Sequence, residues 1–162
     1  MITIDLVEAD ELILISSLAN EIWPQVYKDT ISSEQITFML QNMYTIEALQ
    51  SANNNGQSFY VLNDSGVAQG FIAIQEKPAL LRLEKLYLKP ESQGKGFGKM
   101  LINFASEKAV ELKKKLVELN VNRKNKAVQF YLSQGFEIVD EVDIPYHDFV
   151  LDDYVMQRAT NL

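Results

Sequence analysis

The sequence predicts an α/β protein (α+β in some schemes), a single domain over residues 1–162 with a mixed central sheet of about seven strands and about four helices. Three observations predict this class. Runs with strand periodicity alternate with apolar-periodic helical segments. One late pair of strands is joined by a long helix, which requires a parallel pair beside antiparallel ones. The composition, 47% hydrophobic and 23% charged, is that of an ordinary globular protein with a full core.

The first third of the chain predicts one short strand and two helices. Residues 2–7 alternate apolar and polar side chains, as a strand does. Glu8 and Asp10 then favour the first turn of a helix that we expect to end at about Trp23-Pro24, because proline breaks helices. Serines 32 and 33 offer capping hydroxyls before a second helix. Its apolar side chains recur at helical spacing: Ile36, Met39, Leu40, Met43 and Tyr44.

The remaining elements follow from turn signals and periodicity. Residues 58–76 predict a hairpin around the turn Asn63-Asp64-Ser65-Gly66, and residues 79–88 add a third antiparallel strand. An amphipathic helix and a shorter helix stopped by Gly135 come next, each followed by strands. The expected ranges are helix 97–114, strand 116–122, helix 125–133, and strands 136–142 and 149–157.

Composition excludes several classes of function. With no cysteine and one histidine, disulfides and thiolate metal sites are excluded, and we expect no metal. A net charge of −7 argues against nucleic-acid binding. No apolar run is long enough for a membrane span, and the N-terminus lacks a basic region followed by an apolar core, so we expect no membrane association and a cytoplasmic protein.

The stretch LYLKPESQGKGFGKM, residues 86–100, is the most informative part of the sequence. A strand leads into three closely spaced glycines, and a helix follows them. Glycines let backbone N–H groups approach an oxyanion, and a helix N-terminus adds unpaired donors, so the stretch indicates a phosphate-binding loop. A P-loop is disfavoured because Met100 follows Lys99, and a Rossmann turn because the spacing is G-x-G-x-G. A simple strand-to-helix turn is the alternative.

Residues 93–98, Gln-Gly-Lys-Gly-Phe-Gly, fit the pattern Q/R-x-x-G-x-G/A, which resembles the acyl-CoA pyrophosphate loop of the GNAT superfamily of N-acetyltransferases. A second segment, NVNRKNKAVQFYLSQGF, is similar to the GNAT stretch in which a strand ends, an Asn opens a helix and Y-x-x-x-G-F follows. Tyr131, Gly135 and Phe136 match it. The order of elements matches as well. The resemblance therefore implies the GNAT fold and acetyl-CoA (coenzyme A) as cofactor.

The same resemblance implies which residues contact the cofactor. The main chain of Leu86 and Leu88, at the end of the third meander strand, would pair with pantetheine like an added strand, and the glycine loop would hold the pyrophosphate. Counting from Val121 places the family Asn at Asn125, whereas counting back from Tyr131 places it at Lys124; we expect Asn125, which is also a good N-cap. The implied cofactor residues are Leu86, Tyr87, Leu88, Gln93, Gly94, Lys95, Gly96, Phe97, Gly98, Lys99, Asn122, Asn125 and Tyr131.

Acetyl transfer to an amine requires a neutral amine and a proton for the departing thiolate. An alkyl amine has a pKa of about 10 and is mostly protonated at neutral pH. Glu84 is similar to the glutamate that often serves GNAT enzymes as a base through water; otherwise it is a strand carboxylate paired with Arg82 or Lys85. Tyr131 is the expected proton donor to the sulfur, and core packing beside Phe130 and Phe136 is its alternative role.

The acceptor is expected to be a small-molecule amine. The first helices and last strands carry aromatic and acidic residues that suit an ammonium group; their segments resemble diamine and polyamine acetyltransferases. Core packing is the alternative for the aromatics, and His147 is expected to be a loop residue. Acetylation of a peptide, amino acid or antibiotic, and a non-catalytic CoA sensor, remain alternatives, and a homodimer is possible. The candidate acceptor residues are Trp23, Tyr27, Tyr44, Asp152 and Asp153.

Overall fold

The computed structural model describes residues 1–162, with seven strands and five α-helices. Two short 3₁₀ turns, Ala9–Glu11 and Pro90–Ser92, precede the first helix and the glycine loop. None of the helices is long and apolar enough to cross a membrane. The elements are β1 (Ile2–Leu6), α1 (Ile13–Tyr27), α2 (Ser33–Met43), α3 (Ile46–Asn54), β2 (Gln57–Asp64), β3 (Val67–Glu76), β4 (Leu81–Leu88), α4 (Phe97–Glu111), β5 (Leu116–Asn122), α5 (Ala127–Ser133), β6 (Glu137–Tyr146) and β7 (Phe149–Ala159).

The strands form a sheet in the order β1-β2-β3-β4-β5-β7-β6. β4 and β5, which α4 connects, are parallel, and β1–β2, β2–β3, β5–β7 and β6–β7 are antiparallel. A crossover helix allows a parallel pair, whereas hairpins give antiparallel ones. The predicted mixed α/β fold is therefore confirmed.

The chain divides into two compact units. The first comprises residues 1–75 and 84–101, and the second comprises residues 76–83 and 102–162. Fully buried Ile22, Phe59 and Phe71 lie in the core of the first unit, and Ile102 and Met156 in that of the second. The single domain expected over residues 1–162 stays a proposal.

The first helix runs one turn further than the sequence predicted. α1 continues through Pro24 to Tyr27 instead of ending at Trp23-Pro24. The prediction was wrong because it weighed the local cost of proline alone. Trp23 and Tyr27, four residues apart on one helix face, are both buried with ring centroids 4.6 Å apart. This packing favours helical geometry past the proline.

The predicted second helix is two helices. α2 ends at Met43 and α3 begins at Ile46, with Thr45 as N-cap. The Thr45 hydroxyl accepts a hydrogen bond from the Ala48 N–H at 3.2 Å, and Glu47 lies in the first turn. Continuous apolar periodicity through Tyr44 concealed this cap in the sequence.

Gly70 marks a close approach of β3 to the end of β4. A Cβ built on Gly70 would lie 2.3 Å from the Tyr87 carbonyl oxygen and 2.7 Å from Leu88 Cδ2. Because the first neighbour is backbone, one strand would have to move. We expect Gly70→Ala to lower the free energy of unfolding by about 1–3 kcal/mol, measured by urea denaturation.

Gly66→Asn is the control for this prediction. Gly66 lies in the turn between β2 and β3 with φ +82°, which Asn tolerates, and nothing lies within 4 Å of its Cβ position. It should cost less than about 1 kcal/mol. Equal losses in both variants would show that the approach of Gly70 to β4 is not the cause.

Candidate active site

The glycine loop, residues 93–98, follows the Pro90–Ser92 turn and includes the first two residues of α4. Gly94 and Gly96 adopt left-handed backbone conformations with φ of +80° and +83°. A Cβ on either would meet no atom within 4 Å. Backbone conformation, rather than crowding, therefore calls for glycine here, and the space in front of both residues is open.

Unpaired backbone donors are concentrated in this loop. None of the N–H groups of residues 94–99 donates to a backbone carbonyl, whereas the Met100 N–H bonds the Gly96 carbonyl at 3.1 Å and opens α4. α4 has 15 residues, so its N-terminus adds a partial positive charge. The side chains of Lys95 and Lys99 are exposed beside it. The donors, the open space and the charge fit a phosphate group.

The entry to the loop is anchored on β3 and α1. Ser92 is fully buried, and its hydroxyl donates to the side-chain oxygen of Gln69. The Lys89 N–H donates to the Gln69 carbonyl at 2.9 Å, and the Lys89 ammonium lies 3.5 Å from the Glu21 carboxylate. Sequence reasoning missed Ser92 and Gln69, because nothing local distinguishes them from surface polar residues.

β4 carries the candidate base. Glu84 is half-buried. The side chain of Arg82, two residues earlier on the strand, donates hydrogen bonds to Glu118 at 2.8 Å and to Asn120 at 3.0 Å. Pairing of β4 with β5 covers Leu81 and Arg82 only. Leu86 and Leu88, two of the residues expected to contact pantetheine, lie beyond this paired segment of β4.

Three candidate acceptor residues come together in an aromatic cluster, which we define as Trp23, Tyr27, Tyr44, Phe71 and Tyr87. Trp23 lies at its centre, 5.5 Å from Tyr44 and 5.4 Å from Tyr87 between ring centroids. The hydroxyls of Tyr27 and Tyr87 are 2.8 Å apart and hydrogen-bonded. The cluster thus links α1 to β4.

Two polar atoms of the cluster are buried without a hydrogen-bond partner, Trp23 Nε1 and Tyr44 Oη. Burial raises the pKa of Tyr44 well above its usual value, and nearby Tyr27 raises it further. The nearby Trp23 indole N–H lowers the pKa of Tyr44, but the Trp23 N–H and the Tyr44 hydroxyl do not form a hydrogen bond. Trp23 and Tyr44 are 2% and 1% exposed, so packing is their evident role, and acceptor contact by them stays a prediction.

In the second unit, the two candidate acids lie on β7 beside two β5 amides. Asn120 Nδ2 donates to Asp153 at 3.3 Å, and Asn122 Nδ2 donates to Asp152 at 3.2 Å. Burial raises the pKa of Asp153, and the Asn120 hydrogen bond opposes this. Sequence reasoning missed Arg123, which donates to Asp143 at 2.7 Å and to the Asp153 carbonyl at 3.2 Å.

Tyr131 lies on α5 and is 6% exposed. Its ring centroid is 5.5 Å from that of Phe130 and 5.6 Å from that of Phe136. The Asn125 side chain accepts the Ala127 N–H at 2.9 Å and so helps to begin α5, while Lys124 is exposed. The capping role expected of Asn125 is therefore present, although Lys126 is the formal N-cap residue.

His147 lies in the turn between β6 and β7, exposed and with φ +55°. The expectation of a loop residue is confirmed. No group of three or more His, Asp or Glu side chains is arranged to hold a metal ion.

The mixed sheet, with a left-handed glycine loop between a central strand and a long helix, defines an α/β protein built to hold a phosphate-bearing ligand. Residues 27–144 match the family model of the acetyltransferase (GNAT) domain. The chain therefore belongs to the GNAT acetyltransferase family.

Individual relatives agree with this assignment. The chain is 30% identical to the spermidine N(1)-acetyltransferase of Thermoplasma acidophilum over 139 residues, 81% of this chain and 85% of that one. It is 34% identical over 107 residues, 60% of the chain, to an uncharacterized N-acetyltransferase from the pepI 3' region of Lactobacillus delbrueckii subsp. lactis, and spans 59% of that protein. The crystal structure of the PaiA N-acetyltransferase of T. acidophilum in complex with coenzyme A superposes with a TM-score of 0.83, at 25% identity, over 98% of this chain and 99% of that one.

Proposed function

We propose that the protein is an acetyl-CoA-dependent N-acetyltransferase that acetylates a primary amine of a small molecule, a diamine or polyamine, by direct attack in a ternary complex. The observation that carries this proposal is the glycine loop, in which left-handed Gly94 and Gly96 place unpaired N–H groups before α4. The complex of the PaiA relative with coenzyme A supports it.

The residues of the chain suit a bound acetyl-CoA. The glycine loop would hold the pyrophosphate through backbone N–H groups, with Lys95 and Lys99 adding charge. Leu86 and Leu88 would offer main-chain groups to pantetheine on the β4 edge that β5 leaves unpaired, and the N–H of Leu86 or Tyr87 would polarise the thioester carbonyl. When bound, the cofactor supplies an activated acetyl group.

Glu84 is the proposed base, and Tyr131 the proposed acid. A half-buried carboxylate on β4 can accept a proton from the acceptor ammonium through water, which leaves a neutral amine able to attack. The Tyr131 hydroxyl can donate a proton to a departing thiolate: with ordinary pKa values of about 10 for a phenol and about 8.5 for a thiol, this transfer is uphill by only about 1.5 pKa units. The rings beside Tyr131 hold it in a fixed orientation.

A polycationic acceptor is supported by charge. Five carboxylates lie together on β5, β6 and β7, and two guanidinium groups, those of Arg82 and Arg123, accompany them. The carboxylates are those of Glu118, Glu141, Asp143, Asp152 and Asp153. Both cations already bind carboxylates of this group. The surplus negative charge favours an ammonium ligand over an amino acid, whose carboxylate would be repelled. The spermidine acetyltransferase relative supports the same acceptor class.

Isothermal titration with acetyl-CoA, followed by release of free CoA thiol against polyamines, amino acids and peptides, tests the proposal. We expect binding, and a kcat/KM for spermidine at least about fivefold above that for any amino acid, since one charge pair near a surface contributes roughly 1 kcal/mol or more. Asp153→Asn should reduce this preference for spermidine and leave acetyl-CoA binding unchanged.

The outcomes separate the alternatives. Preference for peptides or amino acids would overturn the polyamine assignment and keep the enzyme class. Binding without turnover on any acceptor would favour a CoA sensor. Absence of acetyl-CoA binding would overturn the role of the glycine loop itself.

A further inference from the structure

Lys85 is the one charged residue in the buried interior, with 8% of its surface exposed. It alternates with Leu81 and Leu83 on the buried face of β4. An apolar residue would satisfy this strand position, because the neighbouring positions on that face are leucines. The lysine therefore needs an explanation other than the pattern of the fold.

The contacts of Lys85 connect three elements of the first unit. Its ammonium donates to Gln57 Oε1 at 2.7 Å and lies 5.5 Å from the ring centroid of Phe59, both on β2. It also lies 5.9 Å from the ring centroid of Tyr44, which separates α2 from α3. One cation thus joins β4 to β2 and to the α2–α3 junction through a hydrogen bond and two cation–π contacts.

Such burial opposes the charge. The pKa of Lys85 is lowered to about 8, chiefly by desolvation, although attraction to Glu84 acts in the opposite direction. The titratable groups that interact with it are Glu84, the adjacent residue on β4, through charge attraction, and Tyr44 at the end of α2, whose own pKa is raised. β2 contributes Gln57 and Phe59, which do not titrate. The Lys85 charge thus changes within the pH range in which acetyl transfer can be assayed.

We propose that Lys85 is a positioning residue for acceptor binding, whose ammonium holds Tyr44 and the α2–α3 junction against β4, one residue from Glu84. Tyr44 packs on Trp23, and Trp23 on Tyr27 and Tyr87, so the tether fixes the whole aromatic cluster. The acceptor part of this inference rests on the proposed function; the tether itself does not.

Tryptophan fluorescence tests the tether without catalysis. Trp23 is the sole tryptophan, and its ring lies 5.5 Å from Tyr44. Across pH 6.5–9.5, the emission of the wild type should change with a midpoint at about pH 8, where Lys85 loses its charge. Lys85→Met and Lys85→Arg should show no such midpoint. An unchanged midpoint in Lys85→Met, or none in the wild type, would overturn the tether.

Steady-state kinetics tests the positioning role. Lys85→Met should raise the acceptor KM at least about tenfold, because a charged hydrogen bond and two cation–π contacts are lost, while the Kd for acetyl-CoA stays within about twofold. Lys85→Arg keeps the charge and should recover part of the loss. Because the acceptor titrates too, the ratio of wild-type to Lys85→Arg KM at each pH isolates the Lys85 titration, and it should rise above about pH 8.

The two failures are distinguishable. If the wild type acetylates no amine, the proposed function fails, while the fluorescence midpoint still decides the tether. If Lys85→Met keeps the wild-type acceptor KM, or if acetyl-CoA affinity falls equally, the positioning role is overturned. Should Lys85→Met fail to fold, Lys85→Gln, which keeps a donor for Gln57 but no charge, replaces it with the same expected loss.

Discussion

Gly96→Val should weaken acetyl-CoA binding at least about 100-fold in isothermal titration, a loss of about 2.7 kcal/mol. Gly96 has φ +83°, a conformation that β-branched residues avoid, so valine would force the loop into another path. The open space in front of Gly96 is where a phosphate would approach the unpaired N–H groups of residues 94–99. The side chain of valine would enter that space and separate anion from donors.

Gly66→Val provides a matched control. Gly66 has φ +82° and, like Gly96, meets nothing within 4 Å of a built Cβ, but it lies in the β2–β3 turn. The backbone strain of the two variants is therefore similar, and their urea midpoints should fall together. Gly66→Val should keep the wild-type affinity for acetyl-CoA within about twofold. If Gly96→Val also kept it, the loop would not be the pyrophosphate site.

Elements set by local signals were predictable from the sequence. The β2–β3 hairpin lies at its expected turn, and β5 occupies the expected residues 116–122, because strand alternation and turn residues act over short distances. The end of α1 was not predictable, because the burial of Trp23 and Tyr27 that carries the helix past Pro24 depends on distant partners such as Tyr87.

The same distinction applies to the candidate site. The spacing of the glycines predicted the position of the loop. Gly94 and Gly96 adopt left-handed backbone conformations, which glycine accepts without steric strain. Buried Lys85 and Ser92 could not be predicted, because Gln57 and Gln69, their partners, come from strands 28 and 23 residues away. A single sequence does not reveal which polar side chains become buried.

Tyr131→Phe should lower kcat at least about 100-fold and leave the Kd for acetyl-CoA within about twofold, measured by thiol release and isothermal titration. The substitution removes only the hydroxyl. The ring contacts with Phe130 and Phe136 at 5.5 and 5.6 Å can persist, so the fold and the packing of α5 should be kept. The loss would then report the missing proton donor, not altered binding.

The pH dependence distinguishes Tyr131 from the proposed base. Glu84→Gln should lose activity mainly below the acceptor pKa of about 10 and recover as pH rises, since more of the amine is then neutral without help. Tyr131→Phe should show no such recovery, because the departing thiolate still lacks a donor. Tyr146→Phe, at the end of β6, is the control and should match the wild type. A wild-type kcat for Tyr131→Phe with every acceptor would leave Tyr131 a packing residue beside Phe130 and Phe136.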